Sequence, residues 1–335
     1  MMRPQMATTY LGLPLSGPLI VSAIPPTGRI DALLEMEAAG ASAVVLPSLF
    51  EEEVLSEEGR LADLMSTGED FAEFTGAPLP DLEQPEFGAA RFVRLVRAAK
   101  EQLKIPVIAS LNATRPGSWQ RYAKELADAG ADALELNLYT MAADPRVGSA
   151  DIELAHLAAV EAVKIAVDIP LSVKLSPYYS AMSKFASLAV DAGADGLVLF
   201  NRFYAPDIDL ERLTLLARAD LSEPDDQRIV LRWLGILRGQ LPEVSLAATS
   251  GVHSGAEVIK AMLVGADVAC TASAVLRRGP EAITLMLAEV ETWLAAHEYE
   301  SVTQLRGSMS AASVPDSSIY ERVHYQNVLH SGNYA

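Results

Sequence analysis

Hydrophobic and polar positions repeat along the chain in the pattern of alternating helices and strands. Four times an amphipathic segment ends in a Gly-Ala turn and leads into a short apolar run that finishes in polar residues, at 38–48, 128–138, 191–201 and 263–273. A glycine at this point suits the left-handed cap that ends many helices. Each of these segments is therefore predicted to contain a helix end, a turn and a strand.

Four more apolar runs, most of them introduced by proline, alternate with these strands, at 17–24, 105–112, 169–176 and 241–250. Amphipathic segments of helical length lie between the strands, for example at 28–39, 116–129, 150–166 and 253–264. Eight strand and helix units predict an α/β fold of the TIM (β/α)8 barrel type. A doubly wound open sheet is the alternative, but "SAIPPTGRI" at 22–30 lacks the G-x-G-x-x-G fingerprint of such sheets.

Two segments exceed the repeat, at 67–85 and 202–228. Long insertions in barrels usually follow strands on the carboxyl-terminal face, where they form the walls of substrate sites. We expect residues 1–306 to form a single barrel domain with these insertions on that face. The polar tail, 307–335, is expected to pack on the barrel or on a partner subunit.

Composition supports an aliphatic core and excludes several function classes. Hydrophobic residues make up 50% of the chain and aromatic residues 6%, as expected for packed helices and parallel strands. A net charge of −18 would repel phosphate backbones and anionic lipid headgroups, which disfavours nucleic-acid and membrane-surface partners. A small-molecule substrate is the remaining expectation.

Cysteine usage and hydropathy predict a cytoplasmic protein. One cysteine, Cys270, excludes an intramolecular disulfide and any cysteine-held iron–sulfur or zinc site within this chain. The N-terminus lacks the form of a signal peptide, and no apolar run is long enough for a transmembrane span. The five histidines are scattered without the spacing of metal ligands, so no metal site is predicted.

The carboxyl ends of barrel strands meet at one mouth, so polar residues there are candidates for chemistry. In strand order they are Ser22 and Ala23; Pro47 and Ser48; Ser110 and Asn112; Glu135, Asn137 and Thr140; Lys174 and Ser176; Asn201 and Arg202; Thr249, Ser250 and Gly251; and Thr271 and Ser273. Three asparagines and a lysine in this group suit a planar heterocycle with amide and carbonyl edges. Within "DALELNLYT" at 132–140, Glu135 and Asn137 share one strand face, and we expect them to meet Lys174 and Asn112 across the barrel.

The last two strands end in "TSGVHSG" at 249–255 and "TASAVL" at 271–276. Small residues that begin helices leave backbone N–H groups free to hold a phosphate, and a phosphate site after strands seven and eight is frequent in TIM barrels. A ring site together with a phosphate site indicates FMN as the cofactor.

Several motifs resemble those of the dihydroorotate dehydrogenase family of FMN-dependent barrels. They are "TTYLGLPLSGPLIVSA" (8–23), "LELNL" (134–138), "VKLSP" (173–177), "FN" (200–201) and "ATSGVHSGAEVIKAMLVGADVACTASAV" (248–275). Their shared order covers nearly the whole chain. The chain is similar to the soluble, class 1-like members, with altered substrate residues.

The resemblance implies roles for individual residues. The flavin would be bound by Ser22, Ala23, Ser48, Asn112, Asn137, Lys174, Asn201, Thr249, Ser250, Gly251, Ala272 and Ser273. Lys174 would pair with the pyrimidine edge of the flavin and stabilise negative charge on the reduced ring. The ribityl phosphate would lie at Ser250, Gly251, Ala272 and Ser273.

Other positions depart from the family pattern. Thr140 stands where the family has the cysteine or serine that removes a carbon-bound proton. A hydroxyl needs a neighbour to take the proton onward, so Thr140 is either the base or a cap of the following turn. Pro47 replaces a substrate-binding lysine, the 67–85 segment contains no asparagine, and "DQRIVLRWLGIL" (226–237) replaces a Gly-Gly phosphate turn. Arg202 or Arg232 is a candidate to restore lost positive charge.

The predicted function is an FMN-dependent oxidoreductase. It would oxidise dihydroorotate, as in pyrimidine biosynthesis, or a related cyclic amide, by proton abstraction and hydride transfer to the flavin. The resemblance also implies a homodimer, with any iron–sulfur relay on a separate electron-transfer subunit. Two alternatives stay open: an aldolase-like barrel in which Lys174 forms a Schiff base, and a flavin-binding partner protein without catalysis.

Overall fold

The computed structural model describes residues 4–54, 56, 89–112, 118–202, 205–216, 220–321, 326 and 329–330. Eight parallel strands form a closed barrel: β1 (Leu19–Val21), β2 (Val44–Phe50), β3 (Val107–Asn112), β4 (Ala133–Asn137), β5 (Leu171–Leu175), β6 (Gly196–Leu199), β7 (Ser245–Thr249) and β8 (Val268–Thr271). β8 pairs with β1, for example through Cys270 and Ile20, which closes the sheet. The TIM barrel is confirmed and the open sheet is excluded.

Helices surround the barrel in the predicted order. They are α1 (Ile30–Ala38), α2 (Ala90–Gln102), α3 (Ser118–Asp128), α4 (Ser149–Ala166), α5 (Met182–Asp191), α6 (Gln227–Gln240), α7 (Gly255–Val264), α8 (Ser273–Arg278), α9 (Glu281–Ala296) and α10 (Val302–Leu305). The glycines of the repeated phrase have positive φ angles, for example 104° at Gly40 and 120° at Gly265. A left-handed residue ends a helix without steric cost only if it lacks a Cβ, which is why glycine stands there.

Side chains inside the barrel alternate with those that face the helices. In β4, Leu134 and Leu136 pack outward with the helical core, whereas Ala133 belongs to the inner apolar cluster. Because strand side chains alternate, Glu135 and Asn137 lie on the same inner side as Ala133. A hairpin of Thr8–Tyr10 and Leu13–Leu15 adds Tyr10 to the inner cluster. Polar residues are thus concentrated toward the other, carboxyl-terminal end.

The connection from β6 to α6 contains a second hairpin, formed by Asp207–Asp209 and Thr214–Leu216. It lies within the predicted 202–228 insertion and follows the carboxyl end of β6, as expected. Residues 203–204 and 217–219 of this insertion, and the whole predicted insertion at 67–85, lie outside the described residues.

The described part of the tail packs on α6 and α7. Backbone N–H groups of Gly307 and Met309 donate to the carbonyls of Met262 and Leu263, both at 2.8 Å, and that of Ala311 donates to Gly235 at 2.9 Å. Across the described ranges, the helices fall short of the length and apolarity that a bilayer crossing requires.

Candidate functional site

A cavity of about 1200 Å³ opens at the carboxyl-terminal end of the barrel. Of the predicted cofactor residues, those lining it are Ser22, Ala23, Ser48, Asn112, Asn137, Lys174, Asn201, Thr249, Ser250, Ala272 and Ser273. Its volume exceeds that of ordinary ligand sites, about 300–1000 Å³. The strand ends therefore converge on one space that is large enough for a cofactor and a small substrate together.

Lys174 carries positive charge into the base of this cavity. Its Nζ lies 3.4 Å from Oε1 of Glu135, and the two side chains are 11% and 3% exposed. The expected contact between Glu135 and Lys174 is confirmed, but it joins the adjacent strands β4 and β5 and does not cross the barrel. Burial of either ion without the other would be costly, so the pair is held as a unit.

Asn137 has partners other than the one expected. Its Nδ2 donates to the hydroxyls of Ser110 at 2.8 Å and Ser48 at 3.2 Å, and these hydroxyls lie 2.6 Å apart. The expectation that Asn137 meets Asn112 is therefore corrected: the serine oxygens on the adjacent strands provide its acceptors. Asn112 lines the cavity, where its amide is available to a ligand.

Asn201 has a buried donor without an acceptor. Its Nδ2 has no hydrogen-bond partner among the residues that the structure describes. A buried polar group left in this state costs about 1–3 kcal/mol, and such groups are rare in folded proteins. Because Asn201 also lines the cavity, a ligand carbonyl or ring nitrogen there would remove this cost.

Three hydroxyl and imidazole groups cluster at the predicted phosphate end. The hydroxyl of Ser273 accepts two hydrogen bonds from Ser222, one from the backbone N–H at 2.9 Å and one from the Ser222 hydroxyl at 2.8 Å. The hydroxyl of Ser222 also lies 3.2 Å from Nε2 of His253, whose pKa is lowered by burial and, to a smaller extent, by Arg277. The hydroxyl-bearing residues Ser222 and Ser273 thus line this end of the cavity.

Two of the predicted catalytic and cofactor-binding residues, Gly251 and Thr140, do not line the cavity. A Cβ added to Gly251 would lie 2.6 Å from the backbone nitrogen of Gln227, so this glycine allows the start of α6 to pack closely. Its predicted contact with a phosphate stays a prediction. Thr140 is exposed, and its proposed catalytic role also stays a prediction. Of the two candidate arginines, Arg202 lines the cavity, whereas Arg232 is exposed on α6.

Several lining residues were absent from the predicted set: Tyr139, Phe200, Leu221, Ser222 and, on α2, Arg91, Phe92, Arg94 and Leu95. Ser222 lies in the 202–228 insertion, where no strand periodicity places a side chain. Tyr139 is different, because it follows Asn137 by two residues and strand alternation assigns both to the same side.

Thr140 belongs to a hydrogen-bond chain on the outer side of β4. Its hydroxyl lies 2.9 Å from Nε2 of His156 on α4, and Nδ1 of His156 lies 2.7 Å from the Tyr179 hydroxyl. The ring of Tyr179 stacks on Phe185 with centroids 3.8 Å apart. The chain joins the segments after β4 and β5 to α4 and α5.

Burial of His156 makes stability depend on pH. Burial lowers the pKa of His156 from 6.5 to about 4. The unfolded chain therefore binds a proton between these values that the folded protein does not, and stability falls as pH decreases through this window. Between about pH 7.5 and about pH 5, the ionisation of His156 in the unfolded chain should lower the free energy of unfolding by about 2 kcal/mol. We expect His156→Gln to abolish this decrease.

Urea unfolding of the wild type and the variant at both pH values measures this difference. His297→Gln, which alters an exposed histidine directly after α9, is the matched control and should leave the wild-type pH dependence intact. Equal pH dependence of H156Q and the wild type would show that His156 is not held neutral.

Comparisons with known proteins agree with this geometry. The family model for dihydroorotate dehydrogenase matches residues 87–294. A protein of Aeropyrum pernix assigned as a dihydroorotate dehydrogenase A (fumarate) is 30% identical over 234 residues, which cover 68% of this chain and 74% of that protein. The catalytic subunit of dihydroorotate dehydrogenase B (NAD(+)) from Thermoplasma acidophilum is 25% identical over 313 residues, or 90% of this chain and 98% of that protein.

The corresponding catalytic subunit from Methanothermobacter thermautotrophicus is 27% identical over 225 residues, which cover 63% of this chain and 73% of that protein. The family match spans more than half of the chain and includes β3 to β8 of the barrel. The chain therefore belongs to the dihydroorotate dehydrogenase family, whose members are oxidoreductases that act on CH–CH groups.

Proposed function

We propose that the chain binds FMN at the mouth of its barrel and uses it to oxidise dihydroorotate or a related cyclic amide. The observation that carries the proposal is the convergence of Lys174, Asn112 and Asn201 on one large cavity. These side chains offer an ammonium group and amides to a flat ring that carries carbonyl and N–H edges. Family membership supplies the reaction type.

The residues present fit both ends of FMN. The unsatisfied Nδ2 of Asn201 and the ammonium of Lys174 are donors suited to the carbonyl-rich edge of the flavin. At the other end, the hydroxyls of Ser222, Ser250 and Ser273 line the cavity and suit phosphate oxygens. This donor set supports FMN as the cofactor.

When bound, the flavin supplies the hydride acceptor that a CH–CH dehydrogenation needs. Lys174 would stabilise negative charge on a reduced flavin ring, and the ion pair with Glu135 positions the Lys174 ammonium group. The amide of Asn137 is oriented by Ser48 and Ser110, so its oxygen is held in a defined direction. Each of these contacts exists before substrate arrives, which limits the reorganisation that catalysis requires.

The substrate is less sharply defined than the cofactor. Pro47 lines the cavity at the position where the family places a lysine, and Arg202 provides a cation on the opposite side of the mouth. Dihydroorotate carries a carboxylate that an arginine can bind. We therefore propose an anionic cyclic amide, with dihydroorotate as the first candidate.

The test is anaerobic mixing of FMN-loaded protein with L-dihydroorotate. We expect the visible flavin absorption to bleach as substrate is oxidised. A yellow protein that neither dihydroorotate nor related cyclic amides can reduce would support the non-catalytic binder. Covalent trapping of a carbonyl compound on Lys174 by borohydride would support the Schiff-base barrel.

Asn201→Leu should weaken FMN binding while leaving the apoprotein intact. The variant removes the donor that we assign to the flavin, so we expect the FMN dissociation constant to rise about tenfold. Because that donor is unsatisfied without ligand, the free energy of unfolding of the apoprotein should not fall. Fluorescence titration and urea unfolding measure the two quantities. Unchanged FMN affinity would remove Asn201 from the flavin site.

The assembly is also a proposal. Two of the relatives are named as catalytic subunits, which supports transfer of electrons from this chain to a separate subunit. A homodimer in the cytoplasm is the form that we infer for the chain itself. Sedimentation of the holoprotein tests the dimer.

A further inference from the structure

The side-chain alternation of β4 continues beyond the last residue of the strand. The backbone N–H of Leu138 donates to the carbonyl of Lys174 at 3.2 Å, so the chain stays extended beside β5. Leu138 is 2% exposed and belongs to the outer core with Leu134 and Leu136. The next residue, Tyr139, lines the cavity, as Asn137 does.

Thr140 falls on the opposite side from Tyr139. Its hydroxyl is 2.9 Å from His156 on α4, and His156 is held in turn by Tyr179. This contact holds the Thr140 hydroxyl against α4, and Thr140 is absent from the cavity lining. The structure therefore presents a phenol to the cavity and directs the threonine hydroxyl toward the helices.

We propose that Tyr139, rather than Thr140, is the catalytic residue that exchanges a proton with the substrate carbon, and that Thr140 is a positioning residue. This inference rests on the proposed flavin-dependent reaction and names its acid–base group. The contact of Thr140 with His156 fixes the backbone directly after Tyr139. That anchor sets the direction in which the phenol points.

The proton transfer balances with a bound flavin as the two-electron partner. In the oxidative direction, the hydroxyl oxygen of Tyr139 takes the proton from one ring carbon as its own hydroxyl proton passes to water. The electron pair of that C–H bond becomes the new carbon–carbon double bond, while hydride leaves the adjacent carbon for the flavin. In the reductive direction, the neutral phenol gives its proton to the carbon.

Three variants of the FMN-loaded protein test the assignment. Tyr139→Phe removes the phenol hydroxyl, Thr140→Val removes the threonine hydroxyl with little change of shape, and Tyr178→Phe is the matched control at an exposed tyrosine. Stopped-flow reduction by L-dihydroorotate gives the rate of chemistry, and the spectral change on orotate binding gives affinity separately. Both are recorded across a range of pH.

We expect Y139F to slow flavin reduction about 10²-fold, with orotate affinity changed less than about threefold. The pH profile of the rate should lose an ionisation that the wild type shows. T140V should slow the reaction less than about tenfold and keep that ionisation, as expected for loss of an anchor. A larger loss in T140V than in Y139F, or an unchanged pH profile in Y139F, overturns the proposal.

A second measurement separates this inference from the proposed substrate. If the yellow protein reacts with neither dihydroorotate nor orotate, the substrate assignment fails, and a crystal structure of the FMN-loaded protein then decides the geometry. Tyr139 facing the flavin ring, with Thr140 on His156, supports the inference. Thr140 facing the ring, with Tyr139 turned away, contradicts it.

Discussion

Replacing Lys174 by methionine is expected to slow reduction of the bound flavin by substrate about 10²–10³-fold. Lys174 is a cation at the base of the cavity, and the charge it stabilises appears only as the flavin ring is reduced. The loss should therefore be found in the rate of reduction more than in the binding of oxidised FMN. Rapid-mixing spectroscopy measures this rate directly.

The same substitution leaves Glu135 buried without its cation. That carboxylate is 3% exposed, and breaking a buried pair from one side costs about 3–5 kcal/mol. The double variant Lys174→Met with Glu135→Gln removes the stranded charge and should recover most of the stability. Its flavin reduction should remain slow. Full recovery of the rate in the double variant would mean that Lys174 acts on folding and not on the chemistry.

Asp267→Ala is expected to lower the free energy of unfolding by about 3–5 kcal/mol. Oδ2 of Asp267 accepts from Arg238 Nη2 at 2.6 Å and from the backbone N–H of Leu246 at 2.7 Å, and its Oδ1 pairs with Arg306. One buried carboxylate thus connects α6, β7 and the segment after α10. Its removal leaves the guanidinium group of Arg238, which is 12% exposed, without its carboxylate partner.

Urea unfolding of the apoprotein measures this change without interference from ligand. Asp31→Ala is the matched control, because its pair with Arg29 is 69% and 67% exposed and should contribute too little to shift the transition. If D267A and D31A unfold at the same urea concentration, the buried network does not stabilise the fold as described.

Local signals were sufficient to predict the barrel. In the repeated Gly-Ala phrase, the glycine ends a helix and the apolar run that follows forms a strand. The positive φ of Gly265 confirms the helix end at that position. The Thr8–Leu15 hairpin was not predicted to contribute to the inner cluster of the barrel. Tyr10 joins that cluster through contacts with residues distant in sequence, and no periodicity within the hairpin encodes these contacts.

Strand registers explain both the successes and the failures at the site. Lys174 and Glu135 were correctly paired because adjacent strands bring inner positions together. The sequence analysis named Thr140 from the family resemblance and assigned no position to Tyr139, which lines the cavity in the structure. Ser222 could not be predicted, because its position depends on how an irregular connection folds back onto Ser273. Loop residues in general carry no period from which a direction can be inferred.

The flavin site is tested most directly by an equilibrium titration of the apoprotein with FMN, followed by its visible spectrum and by protein fluorescence. A flavin site at the strand ends predicts saturable binding of one FMN per chain and a perturbed flavin spectrum. It also predicts that K174M and N201L weaken the binding. A protein that leaves the spectrum of added FMN unchanged, or whose binding is unaffected by both variants, would contradict the claim that the strand ends form a flavin site.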